Sequence, residues 1–202
     1  MNNLLQLLPG TRTAVLVIDV QNDYCAPEGA LAGRGCDVSG IPPMMLKLHK
    51  LIACARTADI PVIFIRTNHE EATDSQVWKM RGSGNMSKVC RKDSWGAEFF
   101  EVSPQRSEIV VIKHRYSAFI NTRLDSVLRS LKIDTLIVTG VSTNVCVEST
   151  ARDGCMLDYN IVFVADACAS YNPAAHKMTL ENIAGYFGTV CETEEIATLW
   201  QP

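Results

Sequence analysis

Short apolar runs alternate along this chain with longer stretches in which apolar residues recur every three or four positions. The runs at 14–20, 61–66, 109–113, 134–140 and 160–166 are rich in Val and Ile, the pattern of buried strands, and 189–191 is a candidate sixth. Between them the period changes. Leu48, Leu51, Ile52 and Ala55 stand at i, i+3, i+4, i+7 spacing behind Pro42-Pro43, which predicts a helix to about residue 58. Thr122 and Asp125 have capping-box spacing ahead of Leu124, Val127, Leu128 and Leu131, predicting another helix. Val147, Thr150, Ala151 and Gly154 fall on one face of a helix ending near residue 158, with Ser142, Thr143 and Asn144 as its possible N-caps. Further helices are expected from Pro173 to about residue 187 and, after the candidate sixth strand, as a short terminal helix finishing near Trp200. Residues 21–40, rich in Gly, Pro, Asn and Asp, read as loop, and 67–100 as a long connection containing Gly82, Gly84, Gly96, Trp78 and Trp95. Connections of that length are usually functional or carry short elements of their own.

Strands that are apolar throughout, alternating with helices, predict an α/β fold: a doubly wound, mostly parallel sheet of about six strands with helices on both faces. No repeat, linker or low-complexity tract divides residues 1–202, so a single domain is expected. Ligands of such sheets bind outside the carboxyl ends of the strands. Three chemically distinct side chains fall at those ends or in the turn just after: Asp19, Lys113 and Cys146.

Composition narrows the partners. The chain is 47% apolar and 20% charged with a net charge of −3, so it has no basic footprint for nucleic acid. Nothing approaches the ~18 continuous apolar residues of a membrane span, and the Met1-Asn-Asn-Leu-Leu start lacks the basic region of a leader peptide. The eight cysteines show neither a Cys-x-x-Cys pair nor a regular framework, and several lie inside apolar periodic segments. Free thiols in a reducing, cytoplasmic setting are expected. A small-molecule substrate is the expected partner.

Cys146 stands apart from the other thiols. A cysteine in the first turn of a helix faces unpaired N–H groups and the positive end of the helix dipole, and both favour the nucleophilic thiolate. Taken singly, Asp19 could bond its own turn and Lys113 could be a solvated strand terminus. Together, a carboxylate and an ammonium ending otherwise apolar strands are costly unless they pair.

Three segments, Val17-Ile-Asp19-Val-Gln-Asn-Asp23, Lys113-His-Arg-Tyr-Ser-Ala-Phe119 and Gly140-Val-Ser-Thr-Asn-Val-Cys146-Val, resemble the signatures of the isochorismatase-like cysteine hydrolases. The resemblance spans about residues 13–200, with the segments in family order. It implies a Cys146–Asp19–Lys113 triad and a non-proline cis peptide at Val141–Ser142 that makes an oxyanion hole of the Ser142 and Cys146 N–H groups. It also implies a homodimer or homotetramer. Within the family, Arg115-Tyr-Ser117, Asn121-Thr122, Leu124-Asp-Ser126, Thr143 through Thr150 and Arg152-Asp-Gly154 are most similar to the ureidoacrylate amidohydrolase group and its biuret-cleaving relatives. A metal-independent hydrolysis of a ureido, carbamoyl or amide C–N bond through a thioester is the implied activity, with no cofactor. Isochorismatase-type hydrolysis and nicotinamidase-like amidase activity are the alternatives inside the family. The nicotinamidase branch holds a metal through an Asp-x-His segment and a further His. The stretch from Arg66 to Asp74 has one histidine, His69, at the wrong spacing, so no metal is expected and His69 reads as a polar loop residue. Asn22, Tyr24, Asn68, Trp78, Tyr116 and Phe119 are the candidate substrate contacts, each with loop packing as its plainer role.

Two readings from other classes compete. Cys146 to Arg152 fits the Cys-x5-Arg phosphate loop of cysteine phosphatases, although Glu148 would repel a phosphate and pairs more naturally with Arg152 at i, i+4. A non-enzymatic α/β binding module would leave Asp19 and Lys113 without employment.

Overall fold

A computed structural model describes residue 8, residues 12–80 and residues 88–200. The stretch read for a leader, apart from Leu8, and Gly82 and Gly84 of the long connection lie outside the described residues. Six parallel strands form one sheet: β1 Thr13–Ile18, β2 Val62–Thr67, β3 Ile109–Lys113, β4 Thr135–Val141, β5 Asn160–Ala169 and β6 Thr189–Cys191. Their order is β3-β2-β1-β4-β5-β6, and every pairing is parallel. The order reverses between β1 and β4. That reversal opens a crevice at their carboxyl ends, where Asp19 and the Cys146 turn follow directly.

Alternation along β1 explains the two layers of core. Val15 and Val17 face a cluster with Met44, Leu48, Leu51, Ile52 and Ala55 of α2 (Ile41–Thr57) and Ile196 of α7 (Thr193–Leu199). Ala14, Leu16 and Ile18 face the other layer. It contains Leu124 and Leu128 of α4 (Leu124–Ser130), Ala151 of α5 (Glu148–Met156) and Ile183 of α6 (Pro173–Tyr186). Both faces of the central strands are therefore dry, as their unbroken apolar runs require. Among the described residues no helix is long and apolar enough to cross a membrane. All eight cysteines are free.

Gly140 has a specific reason to be glycine. It pairs with Ile18 at φ +113°, and a Cβ there would sit 2.0 Å from the Ile18 carbonyl oxygen. Two strand ends can approach this closely only where one residue has no side chain.

Two local expectations are corrected. Residues 21–40 are not plain loop: they hold α1 (Asn22–Cys25) and a 3₁₀ turn at Ala32–Arg34. The long connection carries short elements of its own, as its length suggests: α3 (Gln76–Met80) and a 3₁₀ turn at Trp95–Ala97. No capping box opens α4. Thr122 Oγ1 accepts the Leu124 N–H at 3.1 Å, whereas the Asp125 carboxylate turns outward to Arg129 and Tyr159. A longer Glu could reach back to the cap; Asp finds nearer partners.

Candidate active site

Asp19 is the first residue beyond β1 and adopts a left-handed conformation, φ 53°, that Asp tolerates better than most residues. Its backbone closes the turn, donating to the Ile65 carbonyl and accepting from the Gln21 N–H. Its carboxylate is thereby free of the turn. Oδ1 accepts from the Thr67 hydroxyl at 2.9 Å, and Oδ2 lies 2.7 Å from Lys113 Nζ. Neither charged side chain is more than 1% exposed. Lys113 is thus a buried cation that reaches across β2 to the end of β1, not a solvated strand terminus.

Cys146 arrives from the other side of the switch point. After β4 and a cis Val141–Ser142 peptide, residues Thr143–Val147 form a π-helical turn that leads into α5. Ser142 makes no side-chain cap; its hydroxyl donates to Asn144 Oδ1 at 3.0 Å. The π-turn places Cys146 Sγ 3.5 Å from Lys113 Nζ, 6% exposed, and in the field of the Asp19 carboxylate. Acid, cation and thiol from three strands meet at one point.

Electrostatics corrects the expectation of a resting thiolate. Burial pushes the Cys146 thiol well above its ordinary range; Lys113 opposes this, and the Asp19 carboxylate adds to it. Desolvation outweighs a helix-end dipole here because the sulfur has left water almost completely. For Lys113 burial also works against the charge, but the Asp19 carboxylate and the sulfur outweigh it and hold the amine above its usual value. The resting centre is therefore a neutral thiol beside a carboxylate–ammonium pair. Such a thiol can be activated only by passing its proton to a neighbour.

The six candidate contacts divide. Tyr24 is half-buried, and burial raises its phenol most, followed by the fields of Cys90, Asp19 and Cys146. Asn68, just past Thr67, is buried and its Oδ1 has no partner. Trp78 is buried against His69 and Tyr116, with ring centroids 5.3 and 5.1 Å away, and its Nε1 is also without a partner. Asn22 is committed elsewhere, donating to the Trp95 carbonyl at 2.8 Å. Phe119 is partly buried, stacked on Tyr159 at 5.8 Å and close against Gly154. His69 is a buried residue rather than a polar loop residue; its Nδ1 stands 2.7 Å from the Val89 carbonyl, so that nitrogen carries the proton. Among the described residues no group of three or more His, Cys, Asp or Glu is placed to hold a metal.

Thr67, Gln21 and Tyr171 were not singled out from sequence. Thr67 is in register with Lys113 at the end of β2, so its only sequence signal is a hydroxyl closing an apolar run. Tyr171 follows β5, and its hydroxyl donates to the Tyr24 carbonyl at 2.9 Å. Two cavities of about 490 Å³ lie away from the triad. One runs between the Cys146 turn and α6, where Asn144, Met178 and Tyr186 line it.

The phosphate-loop reading fails on geometry. Residues 148–156 are helix, and Arg152 pairs with Glu148 at 2.6 Å while its guanidinium lies over the Phe187 ring. Glu148 also accepts from Thr179 and Asn182. Burial tends to raise this carboxyl, but the bonds from Thr179, Arg152 and Asn182 prevail and hold it below its ordinary 4.5. A folded-state value below the unfolded one stabilises above about pH 4.5, and that contribution is lost as pH falls through the folded value. Glu148→Gln is accordingly expected to flatten the acid side of the Tm–pH curve; a wild-type slope retained in the variant would rule the linkage out.

Known proteins resemble this chain over nearly its whole length. A family model described as an isochorismatase domain matches residues 13–195. A ureidoacrylate amidohydrolase RutB of Pseudomonas syringae pv. syringae is 39% identical over 98% of this chain and 87% of its own length. Its counterpart from Yersinia enterocolitica is 37% identical over 96% and 91%. A cysteine hydrolase crystal structure from Pseudomonas syringae pv. phaseolicola superposes with a TM-score of 0.88 at 32% identity, covering 96% of this chain and 94% of that one.

Proposed function

Since the chain belongs to the isochorismatase family, we propose that it is a cysteine amidohydrolase that cleaves a C–N bond of a small ureido or carbamoyl compound. The observation that carries this reading is the buried meeting of Cys146 Sγ, Lys113 Nζ and the Asp19 carboxylate. The full-length similarity to enzymes named for ureidoacrylate supports the substrate class.

In this reading Asp19 takes the thiol proton as Cys146 attacks the carbamoyl carbon. Lys113 stays protonated and holds both the thiolate and the carboxylate. Negative charge passes from sulfur to the carbonyl oxygen, which the backbone N–H groups of Ser142 and Cys146 receive; such donors contribute roughly 2.7–4 kcal/mol each to the barrier. The C–N bond breaks as Asp19 returns the proton to the departing nitrogen. Asp19 then takes a proton from water, whose oxygen displaces the sulfur from the thioester-type intermediate and frees the acid product, and passes that proton to the departing sulfur, restoring the thiol. No step asks for a metal. Asn68 Oδ1, an acceptor, and Trp78 Nε1, a donor, are the unpaired polar atoms suited to a ureido group's N–H and C=O.

The test is ammonia release from a panel of ureidoacrylate, biuret, N-carbamoyl amino acids, nicotinamide and simple amides, with and without chelator. Turnover confined to ureido compounds and indifferent to chelator is expected. Turnover of nicotinamide alone, or its loss on chelation, would move the chain to the family's metal-dependent amidases.

A further inference from the structure

Lys113 Nζ has three protons and four neighbours: Thr67 Oγ1 at 2.8 Å, the Arg115 carbonyl at 3.0 Å, Asp19 Oδ2 at 2.7 Å and Cys146 Sγ at 3.5 Å. Thr67, Arg115 and the Cys146 sulfur take its three N–H bonds. Because an ammonium only donates, the Thr67 oxygen must accept from it, and the Thr67 proton is free to go to Asp19 Oδ1, 2.9 Å away. Oδ2, although close to the ammonium, makes no hydrogen bond of good geometry with it. One carboxylate oxygen is thus filled and the other is open.

The backbone of Thr67 is held as firmly as its side chain. Gln21 Oε1 accepts the Thr67 N–H at 2.7 Å, and Gln21 Nε2 donates to the Thr67 carbonyl at 2.9 Å and to the Ala97 carbonyl at 2.8 Å. Gln21 is completely buried and Thr67 is 1% exposed. This clamp ties the end of β2 to the turn that carries Asp19.

We propose that Thr67 is a positioning residue of the triad: its hydroxyl occupies Oδ1 of Asp19 and one proton of Lys113, so that Oδ2 alone is presented to the Cys146 thiol as the proton acceptor. The proposal rests on the triad reading above and adds the direction of proton transfer to it. The proton leaves Sγ for Oδ2, and the electron pair stays on sulfur for attack. Without the hydroxyl, the carboxylate loses a donor that favours its anion and binds a proton more readily. The ammonium also loses an acceptor and can turn toward the sulfur or Oδ2.

The measurement is the rate of Cys146 alkylation by iodoacetamide against pH, mapped by mass spectrometry on the full chain, in wild type, Thr67→Val and Thr67→Ser. Activation of the thiol needs an unprotonated carboxylate as acceptor and falls away at acid pH. In Thr67→Val that fall is expected to move to higher pH by about one pH unit, the size of a lost hydrogen bond to a charged group, and in Thr67→Ser it returns to the wild-type position. Thr67→Ala removes the same hydroxyl and serves should the valine variant not fold. A hydroxyl-free variant that folds and superposes on the wild-type profile overturns the proposal. The readout needs no substrate, so inactivity of wild type on every ureido compound would remove the substrate assignment and leave this result standing.

Discussion

Cys146→Ser is expected to lose turnover of the ureido substrate by roughly four powers of ten or more, because members of a nucleophilic triad act as a unit. The physical reason lies in the proton. A buried neutral thiol beside Asp19 can release its proton to a carboxylate, whereas a serine hydroxyl is far more basic once ionised and the same carboxylate cannot hold the difference. The substitution removes one polarisable atom from a site that is 6% exposed, so the fold is expected to survive with Tm within a few degrees of wild type. Ammonia release and a thermal melt on the same sample check both halves. A variant keeping a tenth of wild-type turnover would remove Cys146 from the role of nucleophile.

Lys113→Met is expected to cost about 3–5 kcal/mol of folding stability in addition to activity, the usual penalty for leaving one partner of a buried ion pair uncompensated. Asp19 would then be a carboxylate less than 1% exposed, with the Thr67 hydroxyl as its remaining side-chain donor. It would be driven toward the protonated form, and the site would lose both base and counter-charge. In a domain of this size the loss corresponds to a Tm lower by roughly 10 °C. The double variant Asp19→Asn, Lys113→Met separates the two effects. With no charge left to bury it is expected to regain stability over Lys113→Met, since neighbouring groups are not additive, and to regain no activity. Urea melts of the three proteins decide it: a single variant as stable as wild type within about 1 kcal/mol would mean that the pair is solvated in solution.

Much of this centre was legible because burial on both faces leaves an unmistakable pattern. The central strands β1 and β4 read as unbroken apolar runs, and so does the edge strand β3, so the polar residue at or just past each end stands out: Asp19 after β1, Lys113 at the end of β3, Cys146 in the turn beyond β4. The helix faces of α2 and α5 were readable for the same reason, with Leu48, Leu51, Ile52 and Ala55 buried in one and Thr150, Ala151 and Gly154 in the other. Short elements were harder to see. The single turn Asn22–Cys25 and the five residues of α3 are too brief to display a helical period.

The aromatic contacts show a different limit. Phe119 and Tyr116 lie three residues apart in one loop, yet Tyr116 packs on Trp78 and Phe119 stacks on Tyr159 in the core. Spacing in an irregular segment does not tell which way a ring turns. The charge state of Cys146 was likewise out of reach, because a helix-end dipole can be read from order along the chain whereas desolvation depends on everything packed around the sulfur.

Local order along the chain was sufficient for the parallel sheet, for the strand ends that hold an acid, a cation and a thiol, and for the helix that follows the thiol, since each depends on periodicity within a short window. Only the folded molecule decided that Thr67 stands between Asp19 and Lys113 and that Gln21 braces it. It likewise decided how completely Cys146 is taken out of water. Those features are set by hydrogen bonds and burial between residues 46 to 76 positions apart, and interactions across such separations leave no period in the sequence.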